Sequence, residues 1–240
     1  MSGADFKISA LAHTFGYRNQ ELGEKITQPG LFPFITISRQ TGAGGHALGK
    51  RIIELLNEST GDPELRGWKL YDQEICKIVA EDQKLRVSLS ELFAEEYHTL
   101  LDDLMAEMIL GYTSHDRLMP RMFRVIYELA SMGKAVIIGR GSSFLTGDLP
   151  NGLHIRLVAP LSNRALRMQE VSGMSEDGAE QLVRKLDRDR SRLVKNYFHA
   201  DIEDPLNYDM IFNTEKQSID EIAAVVTQVL RSRARQMSLV

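Results

Sequence analysis

Ile35-Thr36-Ile37-Ser38-Arg39-Gln40-Thr41-Gly42-Ala43-Gly44-Gly45-His46-Ala47-Leu48-Gly49-Lys50 decides the fold. A β-branched run enters a glycine-rich turn. Leu48, Ile52, Ile53, Leu55 and Leu56 then recur at the spacing of a helix with one apolar face. Strand, glycine turn and helix in this order aim main-chain N–H groups and a helix N-terminus at one point, which suits a phosphate. Glycines let the backbone approach such an anion closely and take positive φ. The same pattern also fits a tight structural turn with no ligand.

The composition describes an ordinary globular chain: 240 residues, 43% hydrophobic and 26% charged. A formal net charge of −4 weighs against a nucleic-acid partner. The single cysteine, Cys76, cannot form an internal disulfide, so a reducing cytoplasm is the expected setting. No apolar run approaches the roughly 20 residues that cross a bilayer, so no membrane partner is expected. Residues 1–30 carry Phe6, Ile8, Leu11, Phe15, Leu22 and Ile26 in a mixed pattern, read as a helical arm or an extension.

The main domain spans 31–240, with strands expected at 34–38, 68–72, 135–139, 154–158 and 208–214. Helices are expected at 45–58, across 73–133 with a break at 111–120, and at 160–172, 175–198 and 218–235. Ser218 with Glu221 three residues on reads as a capping box. Alternating strands and helices imply an α/β fold with a parallel sheet between helical layers. In such a sheet the ligand crevice lies beyond the carboxyl ends of the strands. Ser38, Asp72 and the Gly139-Arg140 pair all fall at those ends.

The order of elements over about 34–230 resembles the cytidylate kinase-like family of P-loop nucleoside monophosphate kinases. Four short stretches carry the resemblance. The loop is similar to a G-x-x-G-x-G-K-G/S-T pattern, but Arg39 stands for the first glycine, Gly45 for the lysine and Ala47 for the hydroxyl residue that helps hold Mg²⁺. Gly42 and Gly44 match. Leu70-Tyr71-Asp72 looks like the start of the monophosphate-binding segment, without its later arginine. Ile138-Gly139-Arg140-Gly141 is similar to the Gly-Arg-Asp that grips an acceptor phosphate, with Gly141 in place of the aspartate. Asp187-Arg188-Asp189-Arg190-Ser191-Arg192 is similar to the arginine-rich lid.

The resemblance implies a three-layer P-loop kinase fold with a five-stranded parallel sheet, a helical acceptor-side insert at 73–133 and a lid at 175–204. It implies ATP with Mg²⁺ as phosphoryl donor and a small-molecule acceptor, cytidylate first. Arg39, Thr41, Gly42, Ala43, Gly44, Gly45, His46 and Ala47 are then the nucleotide-binding residues. Asp72 and Arg140 are the acceptor-binding residues. Arg188 and Arg192, four apart on one helix face, are the catalytic pair of the lid. No protein metal ligands are assigned, since His98, His115, His154 and His199 lack metal spacing.

Alternatives stand beside these readings. Arg39, Lys50, His46 or the lid can replace the missing lysine. His46 either donates to a phosphate when protonated or only caps the helix. Arg140 either forks onto a phosphate or pairs with Asp72 or Asp148. The charged stretch around 188 also fits a solvated, salt-bridged helix. A catalytically inactive nucleotide-binding regulator is the rival function. A homodimer through helices 85–133 is a further option.

Overall fold

The computed structural model describes residues 32–58, 66–72 and 115–237. The predicted arm at 1–30 and most of the predicted insert, including Cys76 and His98, lie outside the described residues.

The glycine stretch folds as its pattern dictates. β1 (Phe34–Arg39) runs into the loop, and α1 (Gly45–Asn57) leaves it. The described elements continue as β2 (Lys69–Tyr71), α2 (His115–Met132), β3 (Ala135–Ile138), α3 (Ser142–Leu145), β4 (Gly152–Val158), α4 (Leu161–Ser172), α5 (Glu176–Phe198), β5 (Met210–Asn213) and α6 (Ile219–Met237). Their strands form one five-stranded sheet in the order β2-β3-β1-β4-β5, and every neighbouring pair is parallel. The central β1 pairs Ile37 with Ile138 of β3 on one side and Ile155 of β4 on the other.

Burial on both faces explains why β1, β3 and β4 read as continuous apolar runs. Ile35, Ile37, Leu153, Ile155 and Leu157 pack against Leu48, Ile52 and Leu56 of α1 and Ile222, Ala223, Val226 and Leu230 of α6. Phe34, Ala135 and Ile137 pack on the opposite side against Phe123, Ile126 and Leu129 of α2. Each fully buried isoleucine contributes roughly 1.5–3 kcal/mol.

That second face also holds polar side chains. The Thr36 hydroxyl lies 2.9 Å from Ser143 Oγ and 2.7 Å from His154 Nδ1, a satisfied network that fixes α3 to the sheet. The predicted capping box forms: the Ser218 amide donates to Glu221 Oε2 at 2.8 Å, and the Glu221 amide donates to Ser218 Oγ at 3.2 Å. Ser218→Ala should therefore lower stability by about 1 kcal/mol in thermal unfolding.

Candidate functional site

The loop's shape comes from its glycines and from what presses on them. Gly42 has φ 77°, and a Cβ there would stand 2.6 Å from the backbone oxygen of Arg164. Gly44, with φ 87°, precedes α1, and no side chain caps that helix N-terminus. The positive end of a helix is thereby open at the carboxyl edge of β1. Gly42→Ala meets both the positive-φ penalty and a backbone clash. It should cost at least ~1 kcal/mol in thermal unfolding and displace the loop.

Guanidinium groups surround this turn. Arg164 is buried; its Nη1 donates to the Thr41 carbonyl at 3.1 Å and its Nε to the Ala159 carbonyl at 2.8 Å. Arg167 donates to the Gly42 carbonyl at 3.2 Å and to the Thr214 carbonyl at 2.7 Å. Arg190 donates to Thr41 Oγ1 at 2.5 Å. One carboxylate sits among them. Asp187 accepts from the Thr41 amide (2.7 Å), the Thr41 hydroxyl (2.8 Å), Arg164 (2.6 Å) and Arg190 (3.3 Å). The Thr41 amide is thus taken up inside the protein, while the amides opening α1 meet no side-chain cap.

Arg39 follows a course across the loop. Its Cγ and Cδ lie 3.1 and 3.4 Å from where a Gly45 Cβ would stand, and a methyl group on Gly139 would overlap its guanidinium. The side chain therefore passes over position 45, where the resemblance expects a lysine, and ends at the turn after β3. Two glycines far apart in sequence leave room for one arginine.

The turn after β3 is strained. Gly139, Arg140 and Gly141 all have positive φ (71°, 58° and 69°), and the Ser142 amide donates to the Gly139 carbonyl at 3.0 Å. A left-handed arginine costs roughly 1–2 kcal/mol, and such strain concentrates at functional sites. A Cβ on Gly141 would meet the ring of Phe198, so α5 packs directly on this turn. Asp72, at the end of β2, does not leave its carboxylate unpartnered: Oδ2 lies 3.1 Å from His46 Nδ1 in the first turn of α1.

The predicted lid helix is amphipathic and docked. Ala179, Val183, Leu186 and Val194 are buried, and Leu193 and Phe198 join apolar clusters with α2 and α3. That inward face carries Asp187 and Arg190. Arg188 and Arg192 share a face, as their spacing implies, and it is the outer one: Arg188 is exposed, and Arg192 is 62% exposed beside Asp189 at 3.4 Å. Lys50 is also exposed.

Sequence reasoning quoted Asp187 and Arg190 only as members of the lid-like stretch, and gave no role to Arg164, Arg167 or Arg156. Arg156 is buried and donates to Ser38 Oγ at 3.0 Å and to Glu203 Oε1 at 2.5 Å. It stacks near Tyr208, whose hydroxyl burial pushes above the ordinary phenol range. A metal is poorly provided for. Ala47 offers no oxygen, and no group of three or more His, Cys, Asp or Glu suited to a metal occurs among the described residues. No helix among the described residues is long and apolar enough to cross a membrane.

The chain has relatives among known proteins. A cytidylate kinase of Methanoculleus marisnigri is 30% identical over 125 residues, covering 52% of this chain and 67% of that protein. A cytidylate kinase of Methanocaldococcus jannaschii is 26% identical over 161 residues, covering 65% of this chain and 89% of that protein. The crystal structure of an uncharacterized protein from Eubacterium ventriosum superposes with a TM-score of 0.60 at 21% identity, over 83% of this chain and 99% of that one. The sheet and its helical layers are the three-layer P-loop kinase fold expected from the sequence. Residues 34–216 match the family profile, and the chain belongs to the cytidylate kinase-like family.

Proposed function

We propose that this protein transfers a phosphoryl group from ATP to a small molecule, with a nucleoside monophosphate of the cytidylate type as the first acceptor to test. One observation carries the reading: a helix N-terminus with no side-chain cap and a glycine turn lie among Arg39, Arg164, Arg167 and Arg190, with Asp187 between the arginines and Asp72 against His46. Phosphoryl transfer needs mainly positioning and charge neutralisation, and this cluster supplies both without an ammonium group. In our reading the main-chain amides of Gly42 to Ala47 cradle the donor phosphates, and Arg39 and Arg190 neutralise them. Arg140 forks onto the anion of the acceptor, with Asp72 beside it. We keep Arg188 and Arg192 as secondary contacts made when a ligand is bound. No step is assigned to a protein-held metal.

A second reading has its own support. Asp187 already occupies the Thr41 amide, and the loop lacks the lysine and the hydroxyl of active relatives' pattern. A binding protein without turnover would have both properties. Thermal shift with ATP, ADP and CMP, followed by ADP release over an acceptor panel, separates the two. The kinase reading expects stabilisation by ATP and by an acceptor, and acceptor-dependent ADP release. Stabilisation by ATP with no ADP release for any acceptor supports the regulator, and no stabilisation by any nucleotide rejects both. Arg190→Ala should reduce ATP affinity by about tenfold or more, whereas Arg188→Ala should change it less than threefold, read by calorimetric titration.

A further inference from the structure

His46 follows β1 in the first turn of α1, Asp72 follows β2, and the two meet although β3 lies between those strands. His46 opens α1 beyond β1, Asp72 ends β2, and β3 with its Gly139-Arg140 turn lies between β2 and β1 in the sheet. The contact therefore spans the mouth of the acceptor side. A carboxylate only accepts hydrogen bonds, so the 3.1 Å contact places the ring hydrogen on Nδ1. In the neutral ring Nε2 then carries the lone pair. The imidazole is 43% exposed, and Asp72 is 21% exposed, so a small molecule can reach the ring. A nitrogen base oriented by a carboxylate beside a phosphate-binding turn is the arrangement that removes a proton from an attacking hydroxyl.

A phosphate acceptor has no use for such a group, because its oxygen is already an anionic nucleophile near neutral pH. We infer that His46, held by Asp72, is a general base and that the acceptor atom is a hydroxyl oxygen. This rests on the kinase reading above and replaces its first acceptor, a monophosphate oxygen, with an alcohol oxygen. In the step, the acceptor oxygen forms a bond to the γ-phosphorus of ATP. The bond from that phosphorus to the bridging oxygen breaks, and ADP leaves with the electron pair. The hydroxyl proton passes to His46 Nε2, and the resulting imidazolium pairs with Asp72. With Arg140 placed on the acceptor's anion, the acceptor class is an anionic alcohol: a hydroxy acid or a sugar phosphate.

The test compares ADP release from ATP with four acceptors: water, glycerol, a panel of hydroxy acids and sugar phosphates, and CMP. ATP binding is measured in parallel by calorimetry. Wild type should turn over with hydroxyl acceptors, water being the simplest. His46→Ala should lower that rate by about 10²-fold or more while ATP affinity stays within threefold. Added imidazole should restore turnover in His46→Ala, which a structural role for the ring would not allow. Asp72→Asn should lower kcat without changing the KM for ATP. Faster turnover with hydroxy acids than with sugar phosphates, or the reverse, would separate the two sources of the anion. ATP binding with phosphorylation of CMP alone, or with a His46→Ala rate equal to wild type, overturns the inference and leaves the kinase reading standing. Absence of ATP binding overturns both.

Discussion

Arg39→Ala should lower ATP affinity by about 10- to 100-fold under the proposed function, because a charge-assisted contact to a phosphate carries roughly 1.5–3 kcal/mol. The expectation follows from the path of the side chain. It runs from the end of β1 across Gly45 to Gly139, so its aliphatic part lies over the start of α1, where the resemblance expects a lysine, and its guanidinium reaches the turn after β3. Lys50→Ala is the matched control. That ammonium is exposed, one turn into α1, and its loss should change affinity less than twofold. Calorimetric titration of ATP into the three proteins decides the matter. Equal losses for the two variants would show that net charge, and not the position of Arg39, governs binding.

Arg140→Gly and Arg140→Ala should separate stability from activity. Both remove the guanidinium, and both should lower kcat/KM for the acceptor by roughly 10- to 100-fold. They differ in the backbone. Position 140 has φ 58°, which alanine tolerates poorly and glycine readily adopts. Arg140→Gly should therefore be about 1 kcal/mol more stable than Arg140→Ala in thermal unfolding. A more stable alanine variant would remove strain as the account of this turn. Full activity in both would remove Arg140 from the site.

The fold was legible because its signals are local. The β-branched run 35–37, the glycines after it and the apolar spacing of 48–56 fix β1, the loop and α1 without long-range knowledge. The strand order β2-β3-β1-β4-β5 was not legible, since pairing among buried parallel strands leaves no sign in any one of them. The glycine turn between β1 and α1 was also readable. Its guanidinium partners were not. Arg164 and Arg167 reach Thr41 and Gly42 from α4, more than a hundred residues away. The course of Arg39 depends on the missing Cβ atoms of Gly45 and Gly139, a relation visible only once the two turns are adjacent. The inward face of α5 was within reach. Ala179, Val183, Leu186 and Val194 mark a stripe that includes Asp187 and Arg190 and excludes Arg188 and Arg192. The resemblance to a lid and the four-residue spacing together singled out Arg188 and Arg192, which the fold places on the outer face.

The pairing of His46 with Asp72 illustrates the same boundary. Each residue was recognisable as polar and placed at a strand end or helix start, but their meeting across β3 is a property of the sheet. It changes the question asked of the acceptor, from which phosphate to which oxygen.

The central claim is that Arg39 stands in for the absent lysine, and an exchange tests it most directly. Arg39→Gly should cost ATP affinity about 10- to 100-fold, and Gly45→Lys alone should also lose affinity, because its Cβ would crowd Arg39 at 3.1 Å. The double variant, Arg39→Gly with Gly45→Lys, should recover affinity to within about tenfold of wild type. If Arg39→Gly binds ATP as tightly as the unaltered protein, the claim is contradicted.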